Sequence, residues 1–252
     1  MQLTFASYNI HKAVGLDRKR DPDRIISVLH ELDADVVALQ EVDRRFGVRE
    51  SVLPRQALEE QGWQIAPLRT GPASMGWHGN AILVRRGIAI AHAEPIHLPR
   101  LEPRGAVCAH LMVEDRPVHV VGMHLDLSGI RRLHQIEAVC AHLRETPVPA
   151  VLLGDFNDWS ARSRSLDAFG KGWTVLAPGR SFPSRRPLAQ LDRIVHSREW
   201  RCEDTKVHHS ALAAKASDHL PVTARLVLGA QEIGRLPNPR AGSDAPPAGS
   251  GS

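Results

Sequence analysis

The first forty residues constrain the fold more than any other stretch, because they encode a strand, a helix and a second strand in succession. Residues 3–9 alternate apolar with small polar side chains, the two-residue period of a strand. After the polar segment 11–20, Asp21-Pro22 sets a helix entry. Aspartate caps the free N–H groups, and proline sits at the first helical position, where its missing donor is harmless. Ile25, Ile26, Val28, Leu29 and Leu32 continue as the apolar face of an amphipathic helix of about three turns. Asp35 then introduces the apolar run Val36-Val37-Ala38-Leu39, closed by Gln40-Glu41. Such a unit belongs to a layered α/β protein, and it puts Asn9 and Glu41 at strand ends. There the sheet holds a side chain while the following loop leaves it open to ligand.

The same logic extends along the chain. Residues 57–61 end a short helix, and a glycine-containing loop at 71–79 leads to a strand at 80–84 and an extended segment at 88–98. Residues 106–113 and 118–123 read as a β-hairpin around Glu114-Asp115, with the second strand ending at His124. Leu133, Ile136, Val139, Cys140 and Leu143 mark a helix that runs to Arg144, with Pro147 and Pro149 beyond its end, and residues 150–153 enter the core as a strand. The basic segment 160–186 reads as irregular apart from a short helix at 166–169. A compact element at 191–196 and a strand beginning near Leu220-Pro221-Val222 follow. Residues 1–228 are therefore expected to form one domain. Residues 229–252, rich in Pro, Gly and Ser, are expected to be a flexible tail.

Bulk properties limit the function classes. No stretch approaches the roughly 18 apolar residues of a membrane span, so no transmembrane segment is expected. The start Met1-Gln2-Leu3-Thr4-Phe5 runs straight into a strand pattern without the regions of a secretory signal. The expected location is the cytoplasm, with peripheral association at the inner membrane surface left open. Cys108, Cys140 and Cys202 lie in unrelated segments and do not make a disulfide framework. The net charge of +4 favours an anionic partner. Its basic pairs are dispersed as on a solvated surface, a balance that suits nucleic acid, a phospholipid headgroup or a small phosphorylated compound. Any obligate protein partner is left undefined.

Chemistry concentrates in Gly154-Asp155-Phe156-Asn157 and Ser217-Asp218-His219, taken together with Asn9 and Glu41. Mg²⁺ prefers oxygen ligands and bridges a carboxylate to substrate phosphate while keeping several waters. Glu41, ending an apolar strand, needs such a cation or a buried salt bridge to offset its charge. Asn9 coordinates the ion, orients Glu41, or simply caps a turn. Asp155 and Asn157, two positions apart, share a side if the segment is extended; a tight Asx turn is the local alternative. Asp155 would orient or deprotonate an attacking water, and Asn157 would position that water or the phosphate. An imidazolium at His219 would stabilise charge growing on phosphoryl oxygen. Adjacent side chains diverge in an extended segment, so Asp218 suits the metal and Asp192 is left to pair with His219. His124 either contacts phosphate or the leaving oxygen, or bonds to backbone. His11, His78, Asn80 and Arg104 are placed around the substrate, whereas His208-His209 has a weaker claim. No zinc motif, P-loop, nucleophile elbow or dinucleotide fingerprint is present.

In this order, Tyr8-Asn9-Ile10-His11-Lys12, Leu39-Gln40-Glu41, His78-Gly79-Asn80-Ala81-Ile82-Leu83, Gly122-Met123-His124-Leu125, Gly154-Asp155-Phe156-Asn157, Leu191-Asp192-Arg193-Ile194 and Ser217-Asp218-His219-Leu220-Pro221 resemble the endonuclease/exonuclease/phosphatase superfamily, also described as the DNase I-like fold. The resemblance implies a four-layer α/β sandwich, two packed mixed β-sheets flanked by helices. It also implies hydrolysis of phosphate esters with Mg²⁺ or Mn²⁺. By the same resemblance Asn9, Glu41 and Asp218 form the metal neighbourhood, and Asp155 and Asn157 position water and phosphate. Asp192 pairs with His219, His124 reaches the phosphate, and Asn80 supports the site. Members similar to abasic-site nucleases place a tyrosine near the position of His124, whereas the single tyrosine here is Tyr8. The expected activity is therefore a phosphodiesterase, with nuclease, sphingomyelinase-like or phosphomonoesterase action as alternatives. A noncatalytic nucleic-acid-binding protein would explain the basic charge but not a cluster of carboxylates.

Overall fold

The computed structural model describes residues 1–44, 50–68, 73–99, 104–160 and 163–229. The expected tail from residue 230 onward, the start of the glycine loop and positions 161–162 of the basic segment lie outside the described residues. β1 (Gln2–Asn9) and β2 (Val36–Gln40) run parallel, in register from Phe5 opposite Val36 to Asn9 opposite Gln40. α1 (Pro22–Leu32) makes the crossover, capped by the Asp21 carboxylate accepting from the Arg24 backbone N–H. Its face of Ile25, Val28, Leu29 and Leu32 is buried.

The second half repeats this plan. β6 (Gly105–Val113) and β7 (Arg116–His124) form the expected hairpin. β7 is joined through α3 (Gly129–Glu145) to the parallel strand β8 (Ala150–Asp155). The remaining elements are α2 (Arg55–Glu60), β3 (Trp63–Ile65), β4 (Ala81–Arg85), β5 (Ala89–Ile96), α4 (Arg164–Asp167), β9 (Trp173–Leu176), β10 (Asp192–Ser197), β11 (Trp200–Val207), α5 (Ala213–Ala216) and β12 (Val222–Leu228). One sheet has the order β11-β12-β1-β2-β4-β3 and the other β5-β6-β7-β8-β10-β9. Both are mixed, with one parallel pair near the centre.

Alternation along the strands builds three apolar layers. Phe5, Ala38, Ile82, Val107, Val120, Val151, Leu153 and Leu226 belong to the layer between the sheets. Tyr8, Val37, Leu39 and Leu83 pack under α1 and α5, while Val121, Leu152 and Phe156 pack under α3. Gly122 marks a close approach of the sheets, since a Cβ there would lie 3.2 Å from both Ala38 and Ile82 side-chain atoms. The result is helices, sheet, sheet, helices.

Several local expectations are corrected. The segment 160–186 contains β9, and its short helix begins at Arg164 rather than Leu166. The extended segment 88–98 is strand only over β5. β3, β11 and α5 have no counterpart in the sequence reading. Asn157 is not extended: its φ of 50° turns the chain immediately after β8.

Candidate active site

The C-terminal ends of both parallel pairs open on the same end of the sandwich, where the register fixes a row of side chains. His124 of β7 stands opposite Asp155 of β8, and Asp155 opposite Asp192 of β10. Gly154 permits this spacing, because a Cβ there would stand 1.9 Å from the Met123 carbonyl oxygen. Asp155 is buried, and its Oδ1 accepts from the Asn157 N–H at 2.9 Å. Its Oδ2 accepts from Asn9 Nδ2, on the other sheet, at 3.1 Å. The same oxygen lies 3.4 Å from His124 Nε2 and 3.7 Å from His219 Nε2. One carboxylate therefore joins residues far apart in sequence.

The two histidines are driven to opposite charge states. Burial alone would depress His219, but the carboxylates of Asp192 and Asp155 outweigh it and push the imidazole up to about 10. His219 Nδ1 lies 2.9 Å from Asp192 Oδ2, which also accepts from Ser181 Oγ at 2.5 Å. Both ring nitrogens of His219 thus face carboxylate oxygens, as suits an imidazolium. For His124 burial dominates, assisted by the positive charges of Arg104 and His219 and opposed by Asp155 and Glu41. Its imidazole is pushed down to about 4 and stays neutral near pH 7.

Asn9 links this pair to a second cluster. Its Oδ1 accepts from the His11 N–H at 3.1 Å, and its carbonyl accepts from Ser217 Oγ at 2.7 Å, which ties the segment before β12 to the end of β1. Glu41 follows β2 at a φ of 58° and pairs with the Lys12 ammonium. Burial would raise the Glu41 carboxyl, but the charge that His124 gains only in the acid range and the permanent charge of Lys12 hold it below its ordinary range. Asp218 Oδ1 lies 3.9 Å from His11 Nδ1. His11, Lys12 and Ala13 take positive φ in succession, at 46°, 58° and 59°. Left-handed geometry costs non-glycine residues about 1–2 kcal/mol each, and concentrated strain of this kind is characteristic of functional segments. The backbone bond from Lys12 N–H to Glu41 O, 3.1 Å, clamps the turn to the end of β2.

The structure thus brings Asn9, His11, Glu41, His124, Asp155, Asn157, Asp192, Asp218 and His219 to one end of the molecule. Asn157 spends its amide on the Leu125 carbonyl at 2.9 Å, to which Arg104 Nη1 also donates at 2.7 Å. Asn80 is buried at the start of β4, where its Nδ2 donates to the Gly105 carbonyl at 3.0 Å and braces the two sheets. His78 stacks edge-on to Trp77, with ring centroids 4.4 Å apart. His208 instead lies beside Glu31 at 2.8 Å, outside the cluster. Lys12 and Ser181 escaped the sequence reading. The lysine stands in the Tyr8–Lys12 motif without a role, because it reaches Glu41 only through a left-handed turn, and the serine lies in a segment without periodicity. Among the described residues no three His, Cys, Asp or Glu side chains form a ready-made metal cluster. The exposed parts of the Glu41 and Asp218 carboxylates, 25% and 34% of their side-chain surface, leave oxygen donors open at the site.

Residues 6–219 match the endonuclease/exonuclease/phosphatase family. The chain is 26% identical over 243 residues to YbhP of Escherichia coli strain K12, covering 87% of this chain and 94% of YbhP. Its fold is similar to that of an endonuclease/exonuclease/phosphatase from Bacteroides vulgatus, with a TM-score of 0.72 at 15% identity over 90% of this chain and 99% of the other. It is also similar to the mannosyl-6-phosphatase Bt3783 of Bacteroides thetaiotaomicron, with a TM-score of 0.68 at 21% identity over 90% and 100% of the respective chains. The chain belongs to the endonuclease/exonuclease/phosphatase family, and membership supports a phosphoester hydrolase reaction.

Proposed function

We propose that this member of the endonuclease/exonuclease/phosphatase family is a divalent-metal-dependent phosphodiesterase, with residues 1–228 as its catalytic domain. The observation that carries the reading is the meeting of Asn9, His124 and His219 at one oxygen of buried Asp155. What singles out this carboxylate is that an amide and two imidazoles from both sheets converge on it at strand ends, where the following loops leave room for a ligand.

The donor set fits a hard cation. Glu41, Asp218 and Asn9 offer oxygen and no thiolate. Mg²⁺ characteristically takes one or two carboxylates and leaves its other positions to water and substrate phosphate. Held there, Mg²⁺ or Mn²⁺ would act as a Lewis acid that neutralises charge on the phosphoryl oxygens. Asp155 is pinned through Oδ1 by the Asn157 N–H and through Oδ2 by Asn9 Nδ2, which fixes the carboxylate that orients the attacking water and accepts its proton. His219 already holds its proton at neutral pH, so it donates to a phosphoryl oxygen rather than acting as base. Asp192 fixes the ring orientation. Neutral His124 stands on the other side of Asp155, where it contacts the phosphate or the leaving oxygen. Water attacks phosphorus in line, one P–O ester bond breaks, and the departing alkoxide takes up a proton from solvent, to which Asp155 afterwards returns the one it accepted.

The test is hydrolysis of bis(4-nitrophenyl) phosphate, DNA, RNA, sphingomyelin and soluble phosphomonoesters with Mg²⁺ or Mn²⁺ and with chelator. Diester cleavage is expected only with metal. Asp155→Asn is expected to lower kcat by roughly 10²–10⁴-fold, the range of a positioned acid–base group. Turnover unaffected by both chelator and Asp155→Asn would refute the assignment, and cleavage of monoesters alone would make the protein a phosphatase.

A further inference from the structure

Most of the large apolar side chains left in water stand on segments that carry the site. Among the described residues these are Met1, Leu16, Leu127, Ile130, Trp159 and Leu188. All but Met1 stand on segments that also carry site residues. Leu16 follows the His11–Ala13 turn, and Leu127 and Ile130 follow His124. Trp159 lies two positions beyond Asn157, and Leu188 lies between Ser181 and Asp192. Hydrogen bonds and ring contacts tie these segments to the opening. Leu16 N–H donates to the Lys215 carbonyl at 3.0 Å, and Leu188 N–H to the Phe182 carbonyl at 2.8 Å. The Trp159 ring centroid is 5.8 Å from that of Phe182, which is 4.8 Å from that of His219. Ile130 is 72% exposed, Trp159 65% and Leu127 60%, a large hydration cost for a protein that buries its apolar residues elsewhere.

Charge on two of these segments is mainly positive. Residues 177–191 carry Arg180, Arg185 and Arg186, all exposed, and no Asp or Glu. Lys19 and Arg20 are exposed beyond Leu16, whereas Asp17 in that segment is engaged by Arg24 at 3.0 Å. Aliphatic tips interspersed with cations are the composition of a surface that rests on an anionic bilayer, apolar groups entering the acyl boundary and basic groups meeting phosphates. A polynucleotide would be served by aromatic stacking platforms, yet four of the five apolar rim residues are Leu or Ile. No helix among the described residues is long and apolar enough to cross a membrane, so the contact is with the surface.

We propose that the site end docks on an anionic phospholipid bilayer and that the reacting phosphodiester is a phospholipid headgroup. The substrate part rests on the phosphodiesterase reading above. Hydrolysis adds water across one headgroup P–O bond, giving a phosphomonoester and an alcohol, with no other reactant. The full chain is incubated with Mg²⁺ and sedimented with phosphatidylglycerol–phosphatidylcholine vesicles or with pure phosphatidylcholine vesicles. Lipid hydrolysis and bis(4-nitrophenyl) phosphate hydrolysis are followed in parallel. The wild type is expected to sediment with the anionic vesicles and cleave their lipid. The variant Leu127→Asp/Ile130→Asp/Leu188→Asp is expected to lose about tenfold or more of the partitioning and a matching share of lipid turnover, with soluble diester turnover unchanged. Arg180→Gln/Arg185→Gln, which leaves the apolar rim intact, is expected to weaken binding to anionic vesicles specifically. Soluble turnover without vesicle binding would overturn the docking and leave the phosphodiesterase reading standing. Vesicle binding without turnover of either diester would uphold the docking and retire the substrate. Equal binding by wild type and both variants, or single-stranded DNA binding in place of vesicle binding, would overturn the proposal.

Discussion

His124 and His219 both approach Asp155 Oδ2, yet their surroundings drive them apart, with His124 neutral and His219 charged at neutral pH. The difference lies in the second contact: His219 has Asp192 behind it, whereas His124 has Arg104 nearby. His219 binds its proton more tightly folded than unfolded. Its stabilising contribution is therefore fully present below pH 6.5 and is lost as pH rises toward about 10. In chelator, NMR titration of the imidazole is expected to show a protonated His219 well above pH 7, and Asp192→Asn is expected to lower its midpoint by more than one unit. A wild-type midpoint near 6.5 would remove the donor role given to this residue. Asn9, Glu41 and Asp155 are legible in sequence because apolar runs stop at them, so they must stand at strand ends. The contact of Lys12 with Glu41 is not legible. It depends on three left-handed residues, and positive φ at His, Lys and Ala leaves no mark in composition.

Elements with strong periodicity are readable for the same reason that they are buried. α1 carries a cap, a proline and an apolar stripe, and β2 and β8 are buried throughout. The unforeseen strands β3, β9 and β11 all lie at sheet edges. β11 has the burial of an edge, with only Trp200 fully covered, and needs no apolar alternation to pair with β12. β7 carries a different consequence of burial. His119, 3% exposed under the α3 side, leaves Nδ1 without a partner in the described structure. Burial first, then the charges of His110 and His142 against that of Glu94, pushes it down to about 4. Between pH 6.5 and about 4 the unfolded chain binds a proton that folded His119 refuses, so stability falls as pH falls through that window. Urea unfolding at a series of pH values is expected to show His119→Gln losing about one proton of this dependence relative to wild type. An identical slope in both proteins would show that His119 does not titrate as its burial requires.

At the scale of the whole molecule, two similar halves are packed face to face. Each sheet has a central parallel pair, and because both pairs open on one end, residues from each half share a single centre. Asn9 comes from the first sheet and Asp155 from the second, 146 positions apart. The fold class was accessible to sequence because strand ends and apolar runs repeat in order, whereas the distance between the two sheets' functional groups depends on packing at residues such as Gly122, which carry no chemical signature. The most direct measurement is a double-mutant cycle on kcat/KM for bis(4-nitrophenyl) phosphate with Mn²⁺, using Asn9→Ala and Asp155→Asn. If the sheets build one catalytic centre, each single variant should lose at least about a hundredfold and the double variant should be little worse than the poorer single. Losses that multiply, or single variants as active as wild type, would show that these side chains do not act on one phosphate.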